Sequence, residues 1–118
     1  IGIDIVEIAR LEKAITRRGE GFLHRVYTDS ELRLYRKKLS SLAARFAAKE
    51  AVIKALGKPT TGASLREIEI LSDSNGKPLV NLYGKAQSQA QDLGLDKFAI
   101  SLSHSREYAI ALVAGETK

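Results

Sequence analysis

Two carboxylates stand where carboxylates are unfavourable. Ile1, Ile3 and Ile5 alternate with Gly2, Asp4 and Val6, the period-two pattern of a strand, so Asp4 is on the face opposite the isoleucines. Aspartate is depleted inside strands, and something must offset its presence there. Glu50 lies in the alanine-rich stretch from about Leu42 to Leu56. At about 100° per residue, Leu42, Phe46 and Ile53 share one face of a helix, with Glu50 and Lys54 next to them and Ala43 and Ala47 alongside. Ala44, Ala48, Ala51 and Ala55 make the far side small too, so the helix is expected to be packed on most of its surface. A carboxylate in such a place needs a partner or a metal.

Two acids from different elements, with a lysine one turn beyond, suit a magnesium ion that bridges phosphates. Magnesium takes oxygen ligands in octahedral geometry, commonly one or two carboxylates, and leaves the other positions to water and substrate phosphates. Lys54 would then offset charge growing on a transferred or leaving phosphate. Plainer roles fit the same residues. Glu50 and Lys54 are also an i, i+4 helix pair of the favoured orientation, contributing roughly 0.2–0.5 kcal/mol. Asp4 could equally be a strand-end aspartate capping the helix that begins near Glu7.

His104 closes a strand inside the serine-rich stretch Ser101, Ser103, Ser105. Parity puts it on the face of Phe98, Ile100 and Leu102, which fits either a partly buried core histidine or a phosphate contact helped by hydroxyls. His24, among basic helix residues, reads as surface. No serine sits in a G-x-S-x-G setting, which leaves Ser-His-Asp hydrolysis unsupported. There is no Walker loop and no G-x-G-x-x-G. The absence of cysteine removes thiolate zinc sites, disulfides and cysteine nucleophiles, and fits a reducing compartment.

The elements that must hold these groups follow from periodicity. After the first strand, Ile8, Leu11 and Ile15 mark the apolar stripe of a helix that is expected to stop at Gly19 and Gly21. A short apolar piece from Phe22 to Tyr27 follows. Thr28 with Glu31 three residues on is a capping box opening a second helix through Lys38. Ser40 and Ser41 separate it from the alanine-rich third helix, which ends at Gly57 with Pro59 beyond. Leu65 to Leu71 and Leu79 to Tyr83 read as strands around the Asn75-Gly76 turn, Lys85 to Leu93 as a short helix closed by Gly94, and Phe98 to Ser103 and Tyr108 to Ala114 as two strands joined through Ser105 to Glu107. The order predicts one α+β domain over residues 1–118, helices packed on a largely antiparallel sheet.

A chain of 118 residues buries one modest core, so a site shared between subunits is easier to build than a deep cavity within one. No apolar run approaches the about 20 residues needed to cross a bilayer, and no basic-then-apolar leader precedes Ile1, which predicts a cytoplasmic protein without a membrane partner. The chain contains no methionine, so a few residues are expected ahead of Ile1, with the first strand incomplete. The net charge of +5 is unevenly placed. Between Arg10 and Lys49 there are eleven Lys or Arg against four acids, while the remainder has eight bases and ten acids. That window suits an anionic partner or, more plainly, a solvated helix surface. Within it Arg10, Lys13 and Arg17 recur at spacings of three and four and line up on one helix side.

Four blocks match a known family in order and at family-like spacing: Gly2-Ile3-Asp4-Ile5-Val6-Glu7; Arg45-Phe46-Ala47-Ala48-Lys49-Glu50-Ala51 continuing to Lys54-Ala55-Leu56-Gly57; Asn75-Gly76-Lys77-Pro78; and Ser101-Leu102-Ser103-His104-Ser105. Together they resemble the bacterial holo-acyl-carrier-protein synthases, among the 4′-phosphopantetheinyl transferases, over nearly the whole chain. The resemblance implies that Asp4 and Glu50 hold magnesium on the pyrophosphate of coenzyme A while a serine of an apo acyl carrier protein attacks the β-phosphate, releasing adenosine 3′,5′-bisphosphate. It implies Glu50, directly or through a metal-bound water, as acceptor of the serine proton, and Lys54 as the group that stabilises phosphate charge. Arg45, Phe46, Gly57 and His104 fall where the family contacts coenzyme A. Arg10 and Arg17, with Lys13 and Arg25, would receive the acidic carrier. Short members of the family form trimers with sites at subunit junctions, and the activity supports fatty acid synthesis. In one respect the chain departs from the pattern: where the family has a glycine-rich turn, Gly57-Lys58-Pro59-Thr60-Thr61-Gly62 carries a proline and two threonines.

A small nucleic-acid-binding domain is the alternative from another class, resting on a pI of about 9.6 and the basic window. That window has few aromatics for base stacking and leaves Asp4 and Glu50 without a purpose, so no nucleic-acid partner is expected. A non-catalytic subunit of the same fold would have no need of both carboxylates and Lys54.

Overall fold

The computed structural model describes residues 1–57 and 64–117. Strand β1 (Gly2–Glu7) is followed by helices α1 (Ile8–Val26), α2 (Asp29–Tyr35) and α3 (Leu39–Ala55). A short 3-10 turn (Leu65–Glu67) leads into β2 (Ile68–Ser72) and β3 (Pro78–Leu82), then α4 (Gly84–Asp92), β4 (Leu95–His104) and β5 (Tyr108–Thr117). All strand pairing is antiparallel among the described residues, in a three-stranded sheet of order β1-β5-β4 and a separate hairpin of β2 and β3. The expected α+β class holds, with the strands divided between two sheets.

Helix α3 is the centre of the molecule. Ala43, Ala47, Ala48, Ala51 and Val52 are all at 0% exposure, because the helix packs between β1 and β5 on one side and α2 and β2 on the other. Small side chains let strand and helix backbones approach closely, as the alanine spacing predicted.

Several boundaries differ from the sequence expectation. The first helix does not stop at Gly19. It bends there, where φ of 60° and ψ of −141° are readily adopted by glycine, and the apolar piece beyond is a further helical segment that buries Phe22, Leu23 and Val26. Helix α2 ends at Tyr35 instead of Lys38, and Ser40 and Ser41 lie inside α3 rather than separating it from α2. The capping box is present as expected, with the Glu31 amide donating to Thr28 Oγ1 at 3.2 Å and the Thr28 amide to Glu31 Oε1 at 2.8 Å.

Two members of the basic window are interior. Lys49, at 0% exposure, donates to Glu31 Oε1 at 2.7 Å and Leu65 O at 3.0 Å and also to Ile68 O, with Nζ 5.5 Å from the Tyr27 ring centroid. Burial pushes its pKa down, and the Glu31 carboxylate opposes that. The second Glu31 oxygen accepts the Ile70 amide at 2.8 Å. Arg45 stacks on Tyr35 at 3.4 Å and donates to Ile70 O and Ser72 Oγ, each at 3.1 Å. These side chains stitch α2 and β2 to α3, and a buried ion pair is tolerated when its remaining donors and acceptors are matched in this way.

Candidate active site

The expected face of Asp4 is correct, and it is the face that packs inward. Gly2 is buried and Asp4 and Val6 half-buried against α3, whereas Ile1, Ile3 and Ile5 face outward. Asp4 does not cap α1; Glu7 occupies the N-cap position and no side chain caps the helix. Asp4 instead meets α3. Lys54 Nζ donates to Asp4 Oδ1 at 3.0 Å and to the Ile3 carbonyl at 2.9 Å. Lys54 therefore reaches across to the strand, and its salt bridge is with Asp4, not Glu50.

Glu50, one turn before Lys54, has no hydrogen-bonding or ion-pair partner among the described residues. Burial pushes its pKa up, repulsion from Asp4 adds to this, and Lys54 offsets part of it. Asp4 and Glu50 line one cleft of about 380 Å³ together with Arg10, Val6, Leu11, Phe22 and Phe46. The described residues hold no group of three or more His, Cys, Asp and Glu able to bind a metal. Two carboxylates without a third protein ligand, one of them raised in pKa by burial and then by the other's charge, fit magnesium, which leaves most positions to water and phosphate. Leu11 was read from sequence only as part of an apolar helix stripe, and neither it nor Phe22 was named as a site residue. Phe22 was in an apolar piece of unassigned structure, and continuing the Ile8-Leu11-Ile15 stripe through Gly19 is the signal that could have found it.

The residues expected to contact coenzyme A are divided. Phe46 is in the Asp4–Glu50 cleft, whereas Arg45 and His104 line a second one of about 340 Å³ with Ser40, Ser41 and Ser72. Arg45 is 6% exposed, and its guanidinium is largely engaged with β2. His104 shares the inner face of β4 with Ile100 and Leu102 by register, but it is exposed at the strand's end, so it is not a core histidine. Gly57 follows α3 with φ of 80°, its amide donating to Lys54 O at 3.1 Å. The remainder of the Gly57–Gly62 stretch lies outside the described residues.

Comparison with known proteins agrees with the fold. Residues 1–113 match the family model of the 4′-phosphopantetheinyl transferase superfamily. The chain belongs to that superfamily. It is 53% identical over 115 residues to a holo-[acyl-carrier-protein] synthase of Dehalococcoides mccartyi, covering 98% of this chain and 96% of the relative. A holo-[acyl-carrier-protein] synthase of Helicobacter pylori solved in complex with coenzyme A is 36% identical, with a TM-score of 0.87 and 98% of each chain covered. The synthase of Neisseria meningitidis superposes with a TM-score of 0.89 at 32% identity, covering 98% of this chain and 96% of the other.

This superfamily member carries two further surfaces beside its clefts. Arg10, Lys13 and Arg17 are exposed on α1 before the bend at Gly19, and Arg25 is exposed on the segment after it; none is in an ion pair among the described residues. His24 is on the surface as expected, 3.2 Å from Glu20. The outer face of the three-stranded sheet is largely apolar along β1 and β5 and carries Ser101 and Ser103 on β4. Ile3 pairs with Leu112, Ile5 with Ile110 and Glu7 with Tyr108, and these five apolar side chains are 37–60% exposed on one face. No helix among the described residues is long and apolar enough to cross a membrane.

Proposed function

We propose that the chain transfers the 4′-phosphopantetheine arm of coenzyme A to a serine of an apo acyl carrier protein, using magnesium held by Asp4 and Glu50. The observation that carries this is the convergence of Asp4, Glu50 and Lys54 from β1 and α3 in one cleft, in a chain whose full-length relatives are holo-[acyl-carrier-protein] synthases. The whole chain acts as one transferase domain.

The serine Oγ attacks the β-phosphorus of the coenzyme A pyrophosphate, a new P–O bond forms, and the bond to the bridging oxygen breaks. Adenosine 3′,5′-bisphosphate leaves with the electron pair. Glu50 takes the serine proton; burial and the neighbouring Asp4 raise its pKa, which makes it a better proton acceptor than an ordinary carboxylate. Lys54, fixed by Asp4 and the Ile3 carbonyl, offsets charge on the phosphate. Magnesium held by Asp4 and Glu50 would supply charge neutralisation for the pyrophosphate. Arg45, Phe46, Gly57 and His104 contact coenzyme A. Arg10, Lys13, Arg17 and Arg25 receive the acidic carrier, and such contacts set encounter rate more than final affinity.

The division of the coenzyme contacts between two clefts on different sides of α3 supports a site completed by a second copy, and the apolar outer sheet face supports a homotrimer. The cysteine-free composition supports a cytoplasmic location, and supply of holo carrier supports fatty acid synthesis. The test is product stoichiometry. Adenosine 3′,5′-bisphosphate should appear in a one-to-one ratio with holo carrier when coenzyme A, magnesium and apo carrier are mixed with the protein; release of the nucleotide without carrier modification would make it a hydrolase instead.

A further inference from the structure

Asp4 and Glu50 belong to different elements, so their separation depends on how closely β1 lies on α3. That distance is fixed at Gly2. A Cβ built there would stand 1.8 Å from the Ala51 carbonyl oxygen, 2.8 Å from the Ala51 carbonyl carbon and 2.9 Å from the Ala55 amide nitrogen. All three are helix backbone, which cannot step aside as a flexible side chain can. Gly2 is the sole glycine of β1, is buried, and lies two residues before Asp4, hence on the same strand face. Across the seam Ala51 is fully buried in the cluster that includes Ala111 and Val113 of the neighbouring strand, and Val113 is the register partner of Gly2.

We infer that Gly2 is a positioning residue for the metal pair: its missing side chain lets β1 rest on the α3 backbone, and that contact sets Asp4 against Glu50 and Lys54. The inference rests on the metal assignment of the preceding section. Any side chain at Gly2 must lift the strand's start by on the order of an ångström, since packed interiors have no slack to absorb it. A lift of that size at one ligand, with the other held on the helix, loosens a two-carboxylate site, and the Lys54 bonds to Asp4 and Ile3 open with it. Changes to groups that orient metal ligands typically weaken binding about 10- to 100-fold.

The experiment measures Mn2+ binding to the full chain by electron paramagnetic resonance, with no coenzyme or carrier present, alongside circular dichroism and thermal melting. Wild type, Asp4→Ala, Gly2→Ala and Ile70→Val are compared. Ile70→Val trims a fully buried side chain of β2, in the same core cluster as Ala51 but outside the β1–α3 contact at Gly2, so it lowers stability without adding anything between strand and helix. The expected result is a dissociation constant raised about tenfold or more in Gly2→Ala with its circular dichroism retained, and unchanged in Ile70→Val. Wild-type affinity in Gly2→Ala overturns the inference while leaving the metal assignment standing, provided Asp4→Ala has lost binding. Equal weakening in Ile70→Val also overturns it, because general destabilisation then explains the loss. If wild type binds no Mn2+, the metal assignment falls and takes the inference with it. Should Gly2→Ala not fold, Ala51→Val thickens the same seam from the helix side and is judged by the same criterion.

Discussion

Lys49 and Glu50 are neighbours in sequence, both charged, both on α3, and they meet opposite environments. On the side of α2 and β2, Lys49 donates to Glu31 and to the Leu65 and Ile68 carbonyls, and Glu31 spends its second oxygen on the Ile70 amide. Glu69 accepts from Thr28 at 2.6 Å, Tyr83 at 3.2 Å and Asn81 at 3.3 Å. On the side of β1, Glu50 has no such partner among the described residues; its burial and then the like charge of Asp4 raise its pKa. A buried charge whose valences the protein itself satisfies is scaffold. One that is left short, beside a cleft, is where a ligand must complete the set.

The contrast is broken most severely at the metal pair. Glu50→Ala or Asp4→Ala should lower kcat by on the order of a thousandfold with the circular dichroism spectrum retained, as measured by carrier modification. Normal turnover in either would place the chemistry elsewhere. On the opposite side, Lys49→Met strands the Glu31 carboxylate in the core and should lower unfolding free energy by about 3–5 kcal/mol in urea titration. Adding Glu31→Leu should recover much of that loss, whereas a double variant no more stable than the single would mean the pair is not the scaffold described here.

The basic face of α1 sharpens the comparison, because its charges act before any bond is made. Reversing Arg10 and Arg17 should raise the carrier KM by about tenfold and reduce its salt dependence, with the KM for coenzyme A little changed. If neither constant moved, the carrier docks on another face. Arg10 is the informative one of the two, since it also lines the Asp4–Glu50 cleft.

The smallest effect concerns acid titration. The folded pKa of Glu50 is above its unfolded value, so the folded state binds the extra proton more tightly, and stability is lost as pH rises from the ordinary carboxylate range through the raised value. In the metal-free protein Glu50→Gln should therefore melt slightly higher than wild type at pH 7, the difference vanishing below the unfolded pKa. A Glu50→Gln variant that melts lower at pH 7 would contradict the strain assigned to this residue.

Much of this was legible in the residues. The i, i+2 alternation fixed the face of Asp4, and the alanine pattern announced a helix packed all round. What sequence could not separate was Lys49 from Glu50, since helical position says that both are near the core but not which has acceptors waiting. Those acceptors come from Glu31 on α2, Leu65 in the 3-10 turn and Ile68 on β2, elements whose placement depends on long-range packing. The bend at Gly19 was hidden for a similar reason: glycine ends helices and also turns them, and only the burial of Phe22, Leu23 and Val26 decides between the two. The outward turn of Ile3 and Ile5 could not be anticipated either, because a strand's apolar face faces the core in most small domains.

The central claim is tested most directly by the mass of an apo acyl carrier protein after incubation with the protein, coenzyme A and magnesium. The account predicts a single phosphopantetheine increment with wild type, and none when magnesium is chelated or when Glu50→Ala replaces it. An unmodified carrier with wild type, or full modification by Glu50→Ala, would contradict it.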